Sequence, residues 1–125
     1  MSKTAIVVYS DPKAGSEEAV GRLFNAMFLA YELKDKKQEV ELIFQGAGVR
    51  WASELVNPEH PAHALYNAVS DTVAGACKGC AEVFGATDDV KSAGFELVGD
   101  KAIPGTAGVI DLSRYLDEGY RIVTF

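Results

Sequence analysis

A run of β-branched and apolar residues without polar alternation, TAIVVYS at 4–10, leaves few folds open to this chain. A strand with one wet face alternates polar and apolar residues; a continuous apolar run is covered on both faces, which is the habit of a parallel sheet between helical layers. The next segments keep that pattern. After the loop 11–15, Ser16 can cap a helix whose first turn carries Glu17 and Glu18, both favourable at the positive end of the helix dipole. Val20, Leu23, Phe24, Met27, Ala30 and Tyr31 then recur at the spacing of one buried helical face, and the basic stretch 34–37 closes the helix.

EVELIF at 39–44 is a second strand, followed by the glycine-containing loop QGAGVRW. Short helices are expected at 49–55 and, after Pro58 and Pro61, at 62–69. TVAGA at 72–76 is a third strand running into Cys77, and residues 78–84 form a helix that Gly85 stops. A further turn over 88–93 ends at Gly94, and FELV at 95–98 gives a fourth strand. Val109, Leu112, Tyr115 and Leu116 mark a last helix ended by Gly119, with Thr106 as a cap within PGTAGVIDL, and YRIVTF closes the chain as a fifth strand. This alternation predicts an α/β protein: a three-layer α/β/α sandwich around a five-stranded, mainly parallel sheet, flavodoxin-like in outline, in one domain spanning 1–125.

Charge narrows the function. A net charge of −6 disfavours direct contact with nucleic acid, which requires clustered Lys and Arg. The five apolar residues before the Ser-Asp-Pro break are too few for the core of a signal peptide, and no run approaches a membrane span. A cytoplasmic protein is expected, in which a close cysteine pair points to chemistry or metal more than to a structural bridge.

That pair lies in GACKGCAEVFG, residues 75–85, and holds the only two cysteines of the chain. In this class of fold, reactive groups collect where strand C-termini meet helix N-termini, and Cys77 falls there. The helix start contributes roughly 0.3–1 kcal/mol to a thiolate, which at 1.36 kcal/mol per unit lowers a thiol pKa by about one unit or less. Lys78 can add to that. Cys80 follows one turn later on the same face, close enough to form or resolve a disulfide.

Four readings of the pair stand at this point: redox couple, metal half-site, sulfur carrier, or two small core residues. A thioredoxin-like site normally follows the first strand, whereas this pair follows the third. NPEHPAHALY supplies His60 and His63, which with Cys77 and Cys80 would make a tetrahedral zinc set, although the spacings of zinc modules are not matched. No cofactor is expected. The loop YSDPKAGSEE stands where flavodoxin-like proteins hold a flavin phosphate, yet only Ser10 and Ser16 offer hydroxyls there. QGAGVRW lacks the third glycine of a dinucleotide fingerprint. Gly46 and Gly48 let the chain turn near the sheet edge, with Arg50 and Trp51 lining a cleft or meeting another subunit.

The order of elements, the segment VAGACKGCAEVFGA after the third strand, the closing LDEGYRIVTF and NPEHPAHALY together resemble the DsrE/DsrF-like family over essentially the whole chain. The resemblance implies sulfur relay through a cysteine persulfide, with the acceptor at the end of the third strand, a position matched by Cys77. It also implies homo-oligomers, commonly trimers or hexamers, and protein donors and acceptors of sulfur. The second cysteine and the segment around His60 depart from the best-understood relay subunits. From its spacing, Cys80 would resolve a persulfide on Cys77. The contrasting reading is a non-catalytic oligomeric module that binds a small ligand or another subunit beside Gly46, Arg50 and Trp51.

Overall fold

The computed structural model describes residues 2–125. Five strands, β1 (Lys3–Val8), β2 (Glu39–Phe44), β3 (Val73–Cys77), β4 (Leu97–Val98) and β5 (Arg121–Thr124), form one sheet in the order β4-β3-β2-β1-β5. Every pairing between neighbours is parallel. Thr4 to Val8 are all buried, as an apolar run without alternation requires. The layered outline is flavodoxin-like, but here the first strand lies between the second and the fifth.

Helices α1 (Glu17–Asp35), α2 (Trp51–Leu55), α3 (His63–Val69), α4 (Lys78–Val83), α5 (Thr87–Ser92) and α6 (Leu112–Asp117) fill the connections. Alternation along β2 separates its two faces. Phe44 meets Phe95, which stacks on Tyr66 of α3, and α3 packs on α1. Glu41 points to the opposite face, where it accepts a hydrogen bond from Tyr115 of α6. One contiguous apolar cluster runs through the sheet and both helical layers.

Ser16 caps α1 as expected, its hydroxyl oxygen accepting from the Ala19 N–H at 3.1 Å. The buried stripe of α1 is Ala19, Leu23, Ala26, Met27, Ala30 and Leu33, so the face is rotated from the expected one. Three alanines let the helix approach the sheet closely, while Val20 and Phe24 pack at the border and Tyr31 stays exposed.

Four local expectations change. The first strand stops at Val8 because Ser10 is drawn towards Trp51. The third starts one residue late, since the Thr72 hydroxyl donates to the Val69 carbonyl in a short 3₁₀ turn, and it runs on to include Cys77, which pairs with Val98 of β4. Phe95 is a core side chain ahead of a two-residue β4. Val109 is not helical: it exchanges two backbone hydrogen bonds with Lys101, both 2.9 Å. Thr106 consequently caps no helix; it closes a turn onto Ile103, and Asp111 caps α6.

Candidate functional site

Cys77 is the last residue of β3 and the N-cap of α4, and Cys80 lies in the first turn of that helix. Both are free thiols. The two thiols stand one helical turn apart and couple to each other electrostatically, in the sense that favours charge on Cys77 and the proton on Cys80. Cys77 has no solvent-exposed surface, whereas Cys80 is half-buried and is the outer sulfur of the pair.

α4 is only six residues long, so individual N–H groups matter more here than a macrodipole. The Cys80 thiol, followed by the backbone N–H groups of Cys80, Ile110 and Gly79, outweighs burial and pulls the Cys77 thiol from 9.0 down to about 6. Cys77 is therefore largely thiolate at neutral pH. Cys80 moves the opposite way: its proton is held by the coupling to Cys77 and by burial, against a counteracting N–H from Gly46. The two sulfurs titrate as one coupled pair, with the charge favoured on the inner one.

Two neighbouring groups are not evident from the sequence. Tyr9, just beyond β1, lies along Gly46, where an added Cβ would come within 3.2 Å of its ring, and its hydroxyl donates to Gln45 Oε1 at 3.1 Å. Burial first, and then the electrostatic influence of the Cys80 and Cys77 pair, push the Tyr9 hydroxyl pKa up. The other group is the segment 99–110, which supplies the Ile110 N–H and whose Gly108 carbonyl accepts from the Gly79 N–H at 2.7 Å. The place of Tyr9 at a strand's C-terminal edge is a signal that could have found it. The end of the segment reads as the start of the last helix, which conceals its role.

The remaining expected residues separate into several environments. Gly46 belongs to the site through its N–H. Gly48 makes the close approach foreseen for it, since a Cβ there would sit 2.1 Å from the Val8 carbonyl oxygen. Lys78 is exposed, with its stem against Gly99. Arg50 pairs with Asp11 at 3.0 Å and lies over the Phe84 ring at 5.1 Å, leaving its buried Nε without a partner. Trp51 is a core residue rather than a cleft residue: it is 1% exposed, and its indole N–H donates to the Ser10 carbonyl at 2.8 Å.

The histidines are occupied elsewhere. His63 Nδ1 donates to the Leu55 carbonyl at 2.8 Å and Nε2 accepts from Asn67 at 3.1 Å. His60 Nδ1 accepts from the Ala62 N–H, and its ring stands edge-on to Trp51. The expected four-residue zinc set is not brought together: among the described residues, no group of three or more His, Cys, Asp and Glu side chains is arranged to hold a metal ion. The hydroxyl of Ser10 faces Trp51 and that of Ser16 caps α1, so YSDPKAGSEE is a capped connection.

The profile of the DsrE/DsrF-like family matches residues 2–125. The chain is a member of that family. An uncharacterised protein of Methanocaldococcus jannaschii is similar to this DsrE-like chain, 33% identical over 101 residues that cover 81% of this chain and 78% of that one. A solved structure, a conserved protein of unknown function from Bacteroides thetaiotaomicron, superposes with a TM-score of 0.61 at 19% identity. The match covers 98% of this chain and 95% of the other, and it supports the fold alone. Among the described residues of this DsrE-like protein, no helix is long and apolar enough to cross a membrane.

Proposed function

We propose that this DsrE-like protein carries sulfur as a persulfide on Cys77 and that Cys80 resolves it. The observation that carries the reading is the placement of Cys77 at the end of β3 with Cys80 one helical turn later, a coupled pair in which the anion is favoured on Cys77 and the proton on Cys80. A thiolate is the nucleophile that sulfane transfer needs, and its low basicity also makes it a good leaving group.

The steps balance in atoms and electrons. The Cys77 thiolate attacks the outer sulfur of a donor persulfide, forming a new S–S bond and releasing the donor thiolate. An acceptor thiolate can then take that outer sulfur and return Cys77 to the thiolate. In the absence of an acceptor, Cys80 attacks the inner sulfur, which is Cys77 Sγ; the leaving sulfur takes the Cys80 proton and departs as hydrogen sulfide, and a Cys77–Cys80 disulfide remains. A dithiol reductant restores the pair by accepting the oxidation.

The test is the intact mass of reduced protein after exposure to a small persulfide donor, beside Cys77→Ser and Cys80→Ser. A gain of one sulfur that disappears in Cys77→Ser and persists longer in Cys80→Ser is the expected outcome. If none of the three gains sulfur under conditions that load an established carrier, the relay reading fails.

A second reading has its own observation. Phe28 and Tyr31 stand 48% exposed on α1 and, with Leu29, Leu65 and Phe125, line a groove of about 630 Å³. An apolar groove bordered by exposed aromatics is the kind of surface that another subunit covers. We include in the proposal that copies of the chain associate through this face, with or without sulfur transfer.

A further inference from the structure

The reading of Cys77 as a sulfur acceptor meets a steric difficulty, because a side chain with no exposed surface cannot meet a donor sulfur. Some neighbouring element must move. β3 and α4 are continuous through Cys77 itself, and the turn after β2 is fixed by buried Val49 and Trp51 and by Gly48 pressed against β1. The segment 99–110 is held differently.

Residues 99–110 double back on themselves through the paired backbone hydrogen bonds of Lys101 and Val109. The tip is exposed from Ala102 to Thr106 and is tied by its own turn, in which the Thr106 hydroxyl donates to the Ile103 carbonyl at 2.8 Å and accepts from the Gly108 N–H at 3.2 Å. Ile110, at the base, is buried in this closed arrangement. The inner edge touches the cysteine motif by backbone contact, Gly79 N–H to Gly108 O, and only glycines allow it. A Cβ on Gly79 would lie 2.9 Å from the Gly108 oxygen, and one on Gly108 would lie 2.7 Å from the Gly99 oxygen with φ at +101°. An element with few buried apolar groups and an exposed tip is where local opening costs least.

We propose that residues 99–110 form a flap that closes over Cys77, with Gly108 and Ile110 as positioning residues that decide when its sulfur can be reached. Closed, the flap excludes water and gives the Ile110 N–H to the sulfur. Open, it admits a donor and withdraws that N–H, which leaves the exposed sulfur more basic and more nucleophilic. Access and reactivity are thus set by one movement. The inference rests on Cys77 being the reactive thiol, but its test involves no sulfur transfer.

The test is the rate of iodoacetamide labelling of Cys77 in a Cys80→Ser background, read by peptide mass at neutral pH, together with thiolate absorbance near 240 nm against pH. The probe chain is compared with itself unfolded in urea and with Gly108→Ala and Thr106→Val added. Thr106→Val removes the two side-chain hydrogen bonds that tie the turn while keeping the Cβ that lies near Gly79, so it serves if Gly108→Ala does not fold. The folded parent should label at least about tenfold more slowly than the unfolded chain despite its larger thiolate fraction. Either flap variant should label severalfold faster and titrate at higher pH than the parent. Folded labelling as fast as unfolded labelling overturns the flap, as does a folded flap variant whose rate and titration match the parent. A variant that labels faster with an unmoved titration overturns the positioning role of Ile110. If the flap behaves as stated and Cys77 still takes no sulfur from a persulfide donor, the relay reading fails by itself.

Discussion

Cys80 follows Cys77 by one helical turn, and the coupling between the two sulfurs favours an inner thiolate beside an outer thiol. The division follows from fold geometry. β3 delivers Cys77 to the sheet edge in extended conformation, and the turn that begins α4 brings Cys80 back over it. Two cysteines three apart on a straight strand would point to different faces and would not couple in this way.

The coupling of Cys80 to Cys77 predicts how its variants titrate. Thiolate absorbance of reduced wild-type protein should show a midpoint near 6 for Cys77. A hydrogen bond to a charged group contributes about 1.5–3 kcal/mol, so Cys80→Ala should raise the Cys77 midpoint by about one to two pH units. Cys80→Ser keeps a hydroxyl donor and should fall between. Equal midpoints in Cys80→Ala and wild type would show that Cys80 does not hold the charge on Cys77.

The architecture is largely legible in the sequence because it rests on local signals: the unbroken run of β1, the Ser16 cap with two glutamates behind it, and the strand at 39–44. The cysteine pair is legible for the same reason, since a strand end and a helix start are set by neighbouring residues. What surrounds the pair is not. Ile110 lies 33 residues beyond Cys77, and apolar residues at helical spacing from Val109 hide the hairpin in which Val109 pairs with Lys101. Trp51 comes after a glycine loop and looks accessible in the sequence, whereas in the fold Ser10 offers its indole a buried partner.

The depressed titration of Cys77 also links stability to pH. A thiol whose folded pKa is about 6 against 9.0 for the free group stabilises the fold fully above pH 9, and that contribution declines as pH falls towards 6. Cys80, pushed the other way, opposes it only above the ordinary thiol range. Reduced wild-type protein should therefore gain urea stability between pH 6 and 8.5 relative to Cys77→Ser, by up to about 1.36 kcal/mol per pH unit. Using the variant as reference cancels the histidines. Parallel pH profiles for the two proteins would contradict a thiolate in the folded state.

Trp51 separates core from cleft. It is the only tryptophan of the chain and one of the largest fully buried side chains, with its N–H on the Ser10 carbonyl. Trp51→Phe keeps most of the ring volume but orphans a buried acceptor, at a cost of roughly 1–3 kcal/mol. Trp51→Ala removes the ring as well and should cost about 3–5 kcal/mol. Urea unfolding followed by far-ultraviolet circular dichroism measures both, since the fluorescent reporter is lost. A loss below about 0.5 kcal/mol in Trp51→Ala would place the side chain at the surface.

The proposal that copies of the chain meet through the exposed face of α1 predicts an oligomer that substitutions there dissociate. Phe28 and Tyr31 flank the groove that Leu29, Leu65 and Phe125 line, and Asn25 and Glu32 border it with polar groups, the pattern of apolar centre and polar rim that subunit contacts share. If copies meet here, wild-type protein should sediment as an oligomer and Phe28→Asp should shift it towards monomer with unchanged circular dichroism. Aromatic anchors at such centres contribute at least about 2 kcal/mol, so the dissociation constant should rise about thirtyfold or more. Cys77 and Cys80 lie outside this groove, and the Cys77 titration of the Phe28 variant should match that of wild type. An oligomer that Phe28→Asp and Tyr31→Asp both leave intact would move the contact to another face, whereas a wild-type monomer at high concentration would remove subunit association from the proposal altogether.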